Sequence, residues 1–216
     1  MRKIGIIGFG RIGRIHFNSV QKLKGTQVVA VADSFADEMT EVFDQYGIEN
    51  YSKDVNAIIN NPEIDTIFIC SPTDTHAEIA IAAAKAGKDI FCEKPIDLDI
   101  QRVEEVLAEV KETGVNFQVG FNRRFDPNFV KARNATLSGD VGDVHVVKIT
   151  SRDPEAPPLS YVKSSGGIFV DMTIHDFDMA RFLAGSEPVE IFAVGDALIN
   201  KDIVQYDDID TAIITI

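Results

Sequence analysis

The sequence predicts an α/β chain, with a doubly wound parallel sheet over residues 1–120 and the start of an α+β domain over residues 121–216. Three observations predict it. Apolar strand-like runs alternate with stretches of helical period from the first residues to Gly120. Gly8, Gly10 and Gly13 follow the first of those runs in G-x-G-x-x-G spacing and lead into a helix-like stretch. After Gly120 the regular alternation stops, and helices, loops and strands follow in mixed order.

Ile4, Ile6 and Ile7 make the first strand, and residues 14–23 the helix after the glycines. A second apolar run, residues 27–32, ends at Asp33. Residues 35–46 carry Phe35, Met39, Val42, Phe43 and Tyr46 at helical spacing, with Gly47 as a stop. Ser52 can cap a short helix reaching Asn60. Ile67-Phe68-Ile69-Cys70, within residues 65–70, reads as a buried parallel strand. Asp74 or Thr75 can cap the Ala-rich helix that runs to Ala86, and Gly87 ends it. A strand over 89–92, a helix over 99–113 and a strand over 115–119 complete this part. Ligands of such sheets bind beyond the carboxyl ends of the strands, where Gly8, Asp33, Ser71 and Lys94 all fall.

Beyond Gly120, residues 122–127 lead into a helix ending near Gly139, and residues 144–150 alternate like a strand. Residues 151–167 are rich in Pro, Ser and Gly and read as a loop, residues 167–183 as one helix stopped by Gly185, and residues 189–198 and 211–216 as strands. The last apolar run reaches Ile216 with neither turn nor polar tail, so the chain is expected to be a fragment of a longer one.

A net charge of −13 argues against nucleic acid and against anionic membranes as partners. No apolar run approaches the ~20 residues that span a bilayer. The two cysteines, Cys70 and Cys92, lack metal-ligand spacing and are too few for a disulfide framework, so reduced core thiols are expected. With a strand at the N-terminus and no signal peptide before it, the chain is expected in the cytoplasm.

The glycine spacing carries its own chemistry. Gly8 permits a tight turn, Gly10 lets a pyrophosphate approach the backbone, and Gly13 lets the helix pack on the strand. Free N–H groups at the helix start favour phosphate charge. Asp33 can accept hydrogen bonds from ribose hydroxyls and would repel a 2′-phosphate. Ser34 and Phe35 follow it with no basic residue, so NAD is expected over NADP. A strand–turn–helix with glycines for packing alone also fits the motif.

Lys94, in Glu93-Lys94-Pro95, can stabilise negative charge on a substrate oxygen or transfer a proton, and it also fits a solvent-facing turn. The Lys94–Pro95 bond can be cis. Asp171 and His175, at i and i+4 of one predicted helix, share a face on which imidazole can take a hydroxyl proton beside a carboxylate. A surface ion pair or half of a metal site also fits them, but no further metal ligands follow the required spacing. His76 can line the cofactor site. His16 reads as structural and His145 as an exposed strand residue. Arg123 can reach a substrate hydroxyl, and an ordinary surface arginine fits equally.

Taken together, these pieces resemble the Gfo/Idh/MocA oxidoreductase family. The resemblance spans Gly8-Phe9-Gly10-Arg11-Ile12-Gly13, Asp33, the run from Ser71 through His76, Glu93-Lys94-Pro95, the run from Gly120 through Asp126, and above all the run from Ser165 through Asp178. With Ser151-Arg152-Asp153-Pro154, it looks most like the inositol 2-dehydrogenases of that family. The resemblance implies a Rossmann domain followed by an open-faced, mainly antiparallel sheet domain that is incomplete here. It implies Lys94, Asp171 and His175 as the catalytic set, with Arg123 and Asp153 as further contacts to a polyol or sugar. It implies an NAD site including Gly8, Phe9, Gly10, Arg11, Ile12, Asp33, Ser71, His76, Glu93 and Lys94, and no metal. It also implies a homotetramer for the longer parent, associating through the second domain.

Overall fold

A computed structural model describes residues 1–216, which divide into two compact units, Met1–Gly120 and Phe121–Ile216. In the first, β1 (Arg2–Ile7) leads through the glycine turn to α1 (Arg11–Val20) and β2 (Thr26–Ala32). A short 3₁₀ turn, Ala36–Glu38, precedes α2 (Thr40–Tyr46), so the helix expected over 35–46 begins late. The two-residue strand β3 (Tyr51–Ser52) precedes α3 (Val55–Ile59), whose cap is Asp54 rather than Ser52. The unit ends with β4 (Thr66–Ile69), α4 (His76–Lys85), β5 (Asp89–Cys92), α5 (Ile100–Thr113) and β6 (Phe117–Val119). Neither Asp74 nor Thr75 caps α4 with its side chain; a 3₁₀ turn, Thr73–Thr75, runs straight into it.

All six strands pair in parallel in the order β3-β2-β1-β4-β5-β6. The strand order therefore reverses its sense between β1 and β4, the position at which such sheets open a crevice at their carboxyl ends. Alternation along the strands builds two cores. Ile7, Ile67 and Ile69 pack with Ile58 of α3, Ala80 and Ala83 of α4, and Val106 of α5. Ile4, Ile6 and Val31 point the other way and pack with Phe17 of α1 and Phe43 of α2.

The second unit contains α6 (Pro127–Ser138), α7 (Leu159–Ser165), α8 (Gly167–Asp171), α9 (Ile174–Ala184), β7 (Phe192–Asp196) and β8 (Thr211–Thr215). Asp126 accepts from the N–H groups of Asn128 and Phe129, and Pro127 sits where its missing N–H costs nothing, so α6 starts there. β7 and β8 form a two-stranded antiparallel sheet.

Three expectations for this unit are corrected. Residues 144–150 form no strand: alternation favours extended backbone, but a ladder needs a hydrogen-bonded neighbour, and none lies alongside. Residues 151–167 contain α7, whose Val162 is buried with Ala197 and Ile203. The single helix expected over 167–183 breaks at Met172–Thr173 into α8 and α9. There the N–H of Thr173 donates to the Ile168 carbonyl, five residues back, while the Thr173 hydroxyl donates to the Phe169 carbonyl. No helix in the structure is long and apolar enough to cross a membrane.

Candidate functional site

In the first unit the glycine turn does three separate things. Gly8 has φ +90°, and a Cβ there would overlap the backbone of Cys70 and Ser71 at the end of β4. A Cβ on Gly13 would overlap the Gly8 carbonyl, so α1 rests directly on the turn. A Cβ on Gly10 would meet nothing within 4 Å. The tight positions are thus internal, and the open one faces outward. The first turn of α1 carries no side-chain cap and no acidic residue, so its N–H groups and its positive dipole end face the same opening. These features fit a dinucleotide pyrophosphate.

Asp33 follows β2 at the neighbouring strand end. Its carboxylate accepts the Phe9 N–H at 2.7 Å and the Phe35 N–H at 2.9 Å. Two backbone donors orient the carboxylate and leave lone pairs on each oxygen for ribose hydroxyls. Phe9 contributes its backbone N–H to this contact, while its ring is fully buried against Phe17, Phe43 and Tyr46. Arg11 is exposed at the start of α1, and Ile12 is half-buried beside it.

Two further segments reach the same edge. The Ser71 hydroxyl bonds the Thr75 hydroxyl at 2.7 Å. His76, expected along the cofactor site, is 2% exposed. Its Nδ1 lies 2.8 Å from the Pro95 carbonyl and its Nε2 2.8 Å from the Ser71 carbonyl. Carbonyl oxygens only accept, so whichever ring nitrogen carries the proton donates to the carbonyl it faces. His76 thereby ties the segment after β4 to the segment after β5. Lys94 lies in the latter, half-buried, and the Lys94–Pro95 bond is cis. Its neighbour Glu93 bonds His16 Nε2 at 2.6 Å. Burial, with a smaller push from Glu93, raises the Cys70 thiol well above its ordinary range and the Cys92 thiol to about 12. Cys92 is buried and Cys70 partly so, and both are poor nucleophiles.

In the second unit Asp171 is the last residue of α8, and His175 lies in the first turn of α9. Their expected register on one continuous helix is replaced by the wider turn at Met172–Thr173. Tyr161 donates its hydroxyl to Asp171 at 2.9 Å, and the ring of Phe121 meets His175 edge-on with centroids 6.4 Å apart. Arg123 pairs with Asp176, which also accepts the Ser151 hydroxyl at 2.6 Å. Arg124 grips the buried Asp178 through Nε and Nη2, at 2.7–2.9 Å, and this hydrogen bonding raises its pKa. Asp208 accepts the Ile168 N–H at 3.0 Å and so anchors the start of α8. Asp153 is exposed in irregular chain. No cluster of three or more His, Cys, Asp or Glu side chains is arranged to hold a metal.

Sequence reasoning assigned no contact to Tyr161, Ser151 or Asp176. Asp176 stood in plain view beside His175, but nothing local indicated that it would meet Arg123. Tyr161 was hidden because its segment read as loop.

A family model described as an oxidoreductase family with an NAD-binding Rossmann fold matches residues 2–121, and one for the GFO/IDH/MocA C-terminal domain matches residues 129–216. The chain belongs to the Gfo/Idh/MocA oxidoreductase family. Among family members, it is 50% identical to the inositol 2-dehydrogenase of Rhizobium meliloti, over 97% of this chain and 63% of that protein. It is 45% identical to the myo-inositol 2-dehydrogenase of Thermotoga maritima, over 99% of this chain and 64% of that one. The chain thus spans somewhat less than two thirds of the length of these relatives. It is also similar to the crystal structure of scyllo-inositol dehydrogenase from Lactobacillus casei with bound NAD(H) and scyllo-inositol, with a TM-score of 0.90 and 32% identity over 99% of this chain and 65% of that one.

Proposed function

We propose that this chain belongs to an NAD-dependent dehydrogenase that oxidises one ring CH–OH of a cyclic polyol, myo-inositol first among them, to a ketone. The observation that carries the reading is the first unit's dinucleotide cradle: an open Gly10, an uncapped α1 and an oriented Asp33. In a family whose relatives are named for inositol oxidation, that cradle points to NAD and a polyol. Residues 1–120 would hold the dinucleotide, and residues 121–216 would bind substrate and take part in assembly.

NAD, when bound, would supply the hydride acceptor. His175 takes the hydroxyl proton, with Asp171 beside it in the chain orienting the ring or the substrate. Lys94 is assigned a hydrogen bond to a substrate oxygen, which would stabilise the negative charge that develops as the proton leaves. The ring carbon gives up hydride, and its C–O single bond becomes the carbonyl. Arg123 and Asp153 hold the remaining hydroxyls. Two free cysteines and no disulfide suit a reducing, cytoplasmic setting. Phe192, Val194 and Ile213, each at least half exposed, supply an apolar surface suited to association as a homotetramer of the longer parent.

The test follows NADH formation with myo-inositol, scyllo-inositol and a panel of aldoses, alongside calorimetry with NADH. Lys94→Ala and His175→Ala are each expected to lower kcat by about 10²-fold or more, and His175→Ala to leave NADH binding in place. Near wild-type kcat in either variant would refute its role. Oxidation of aldoses in preference to inositols would favour a sugar dehydrogenase. Tight NADH binding without turnover on any substrate would leave a nucleotide-binding chain only.

A further inference from the structure

Lys94 is a long side chain on an irregular segment between β5 and α5, yet the proposed chemistry needs its ammonium placed to a fraction of an ångström. The side chain itself has high rotamer freedom, so precision has to come from the backbone beneath it. Two histidines hold that backbone, one on each side. On the N-terminal side, Glu93 anchors its N–H on the Ile69 carbonyl. Its carboxylate places one oxygen 2.6 Å from His16 Nε2 and the other 3.3 Å from the N–H of Lys94 itself. On the C-terminal side, Pro95 gives its carbonyl to His76.

His16 is well placed for this. It projects from α1, the helix that starts at the glycine turn. Its ring packs edge-on against Phe91 and Phe68, with centroids 4.8 and 5.9 Å away, which fixes the imidazole plane. The His16 and Glu93 side chains are only 22% and 19% exposed, so water competes weakly for the bond. The carboxylate also lies against Gly120, where a Cβ would come within 3.0 Å of its oxygen. A side chain at Gly120 would displace it. A carboxylate only accepts, so Nε2 is the protonated nitrogen in this contact.

We propose that His16 is a positioning residue for Lys94, acting through Glu93, and that it couples the dinucleotide-binding helix to the catalytic turn. His76 closes the bracket from the other side. The inference rests on the role given to Lys94 above. It assigns a mechanical link between the element that receives the cofactor and the residue that acts on the substrate.

Three variants of the chain test it. His16→Gln keeps an N–H donor near the position of Nε2. His16→Asn is polar but too short to reach Glu93, and His16→Leu has no donor. Competitive acetylation of Lys94, read by peptide mass spectrometry as a function of pH, reports the environment of its amine whether or not the chain turns over. The Leu and Asn variants are expected to shift the Lys94 labelling rate by at least about threefold, and to lower kcat about tenfold with little change in polyol KM. The Gln variant is expected to recover most of both. Wild-type Lys94 labelling in folded Leu and Asn variants would overturn the proposal, and so would a Gln variant as impaired as Leu. Should Leu fail to fold, Asn against Gln decides it. Lys94→Ala separates the two levels. If that variant keeps full turnover, the reading of Lys94 itself fails. If it is inactive while the His16 variants leave Lys94 unchanged, only the coupling fails.

Discussion

The first unit covers its sheet on both faces. Ile67 and Ile69 on one side and Phe9 and Phe43 on the other are completely buried. In the second unit the buried apolar cluster is Val162, Ala197 and Ile203, while Phe192, Val194 and Ile213 on its two strands are 67, 50 and 70% exposed. The first unit therefore holds its functional groups by wedging backbone into a packed core, as at Gly8 and Gly13. The second holds them by polar ties between side chains: Arg123 to Asp176, Arg124 to Asp178, Tyr161 to Asp171. Buried apolar area contributes about 25 cal/mol per Å² and carries no directional requirement. Half-exposed polar ties contribute about 1 kcal/mol each and depend on geometry, salt and pH. Substitutions at the wedge should thus act on folding, and substitutions at the ties on local order.

The largest effect is expected at Gly13. Gly13→Ala forces a methyl into the Gly8 carbonyl and should destabilise the first unit by about 3 kcal/mol or more, read as a lowered Tm. Gly10→Ala should melt within about 1 kcal/mol of wild type yet lose about tenfold in NADH affinity, because its methyl fills only the opening. A Gly13→Ala variant with unchanged Tm would break the contrast between the tight and the open glycine.

In the second unit, Arg124→Met keeps the stem but removes the two-pronged grip on Asp178, which is 6% exposed. A buried carboxylate without its partner is costly, but the 38% exposure of Arg124 lets water compensate. A loss of about 1–2 kcal/mol in urea unfolding is expected. A loss as large as that at Gly13 would show the polar ties to be as strong as the packed wedge.

The smallest effect is expected at Asp210. Burial pushes its carboxyl up, but the N–H groups of Asn200, Leu198 and Ile199 and the Thr211 hydroxyl together outweigh this and hold it at about 2. A carboxyl depressed in the folded state adds stability that is complete above its ordinary range near pH 4 and is lost as pH falls towards 2. Wild type should therefore lose urea resistance between pH 4 and pH 2 more steeply than Asp210→Asn. Parallel curves would remove Asp210 as the cause.

The regions differ in legibility for the same physical reason. The strand over 89–92, the stops at Gly47 and Gly185 and the helix end near Gly139 were legible, because period and left-handed glycine are local signals. The alternating residues 144–150 misled, because alternation reports a half-buried extended chain only where a neighbour supplies the ladder. The break between Asp171 and His175 was invisible, because helical period continues across a wide turn. His16 read as an ordinary structural residue, since nothing in α1 announces a carboxylate arriving from the end of β5.

By itself the sequence determined the alternation, the glycine turn and the acid at the end of β2, because each depends on residues within a turn or two of one another. Only the tertiary structure decided the pairings: His16 with Glu93, His76 with Ser71 and Pro95, and Arg123 with Asp176. Local patterning encodes which face of an element turns inward. Which polar groups then meet depends on the order in which the sheet brings distant strand ends together.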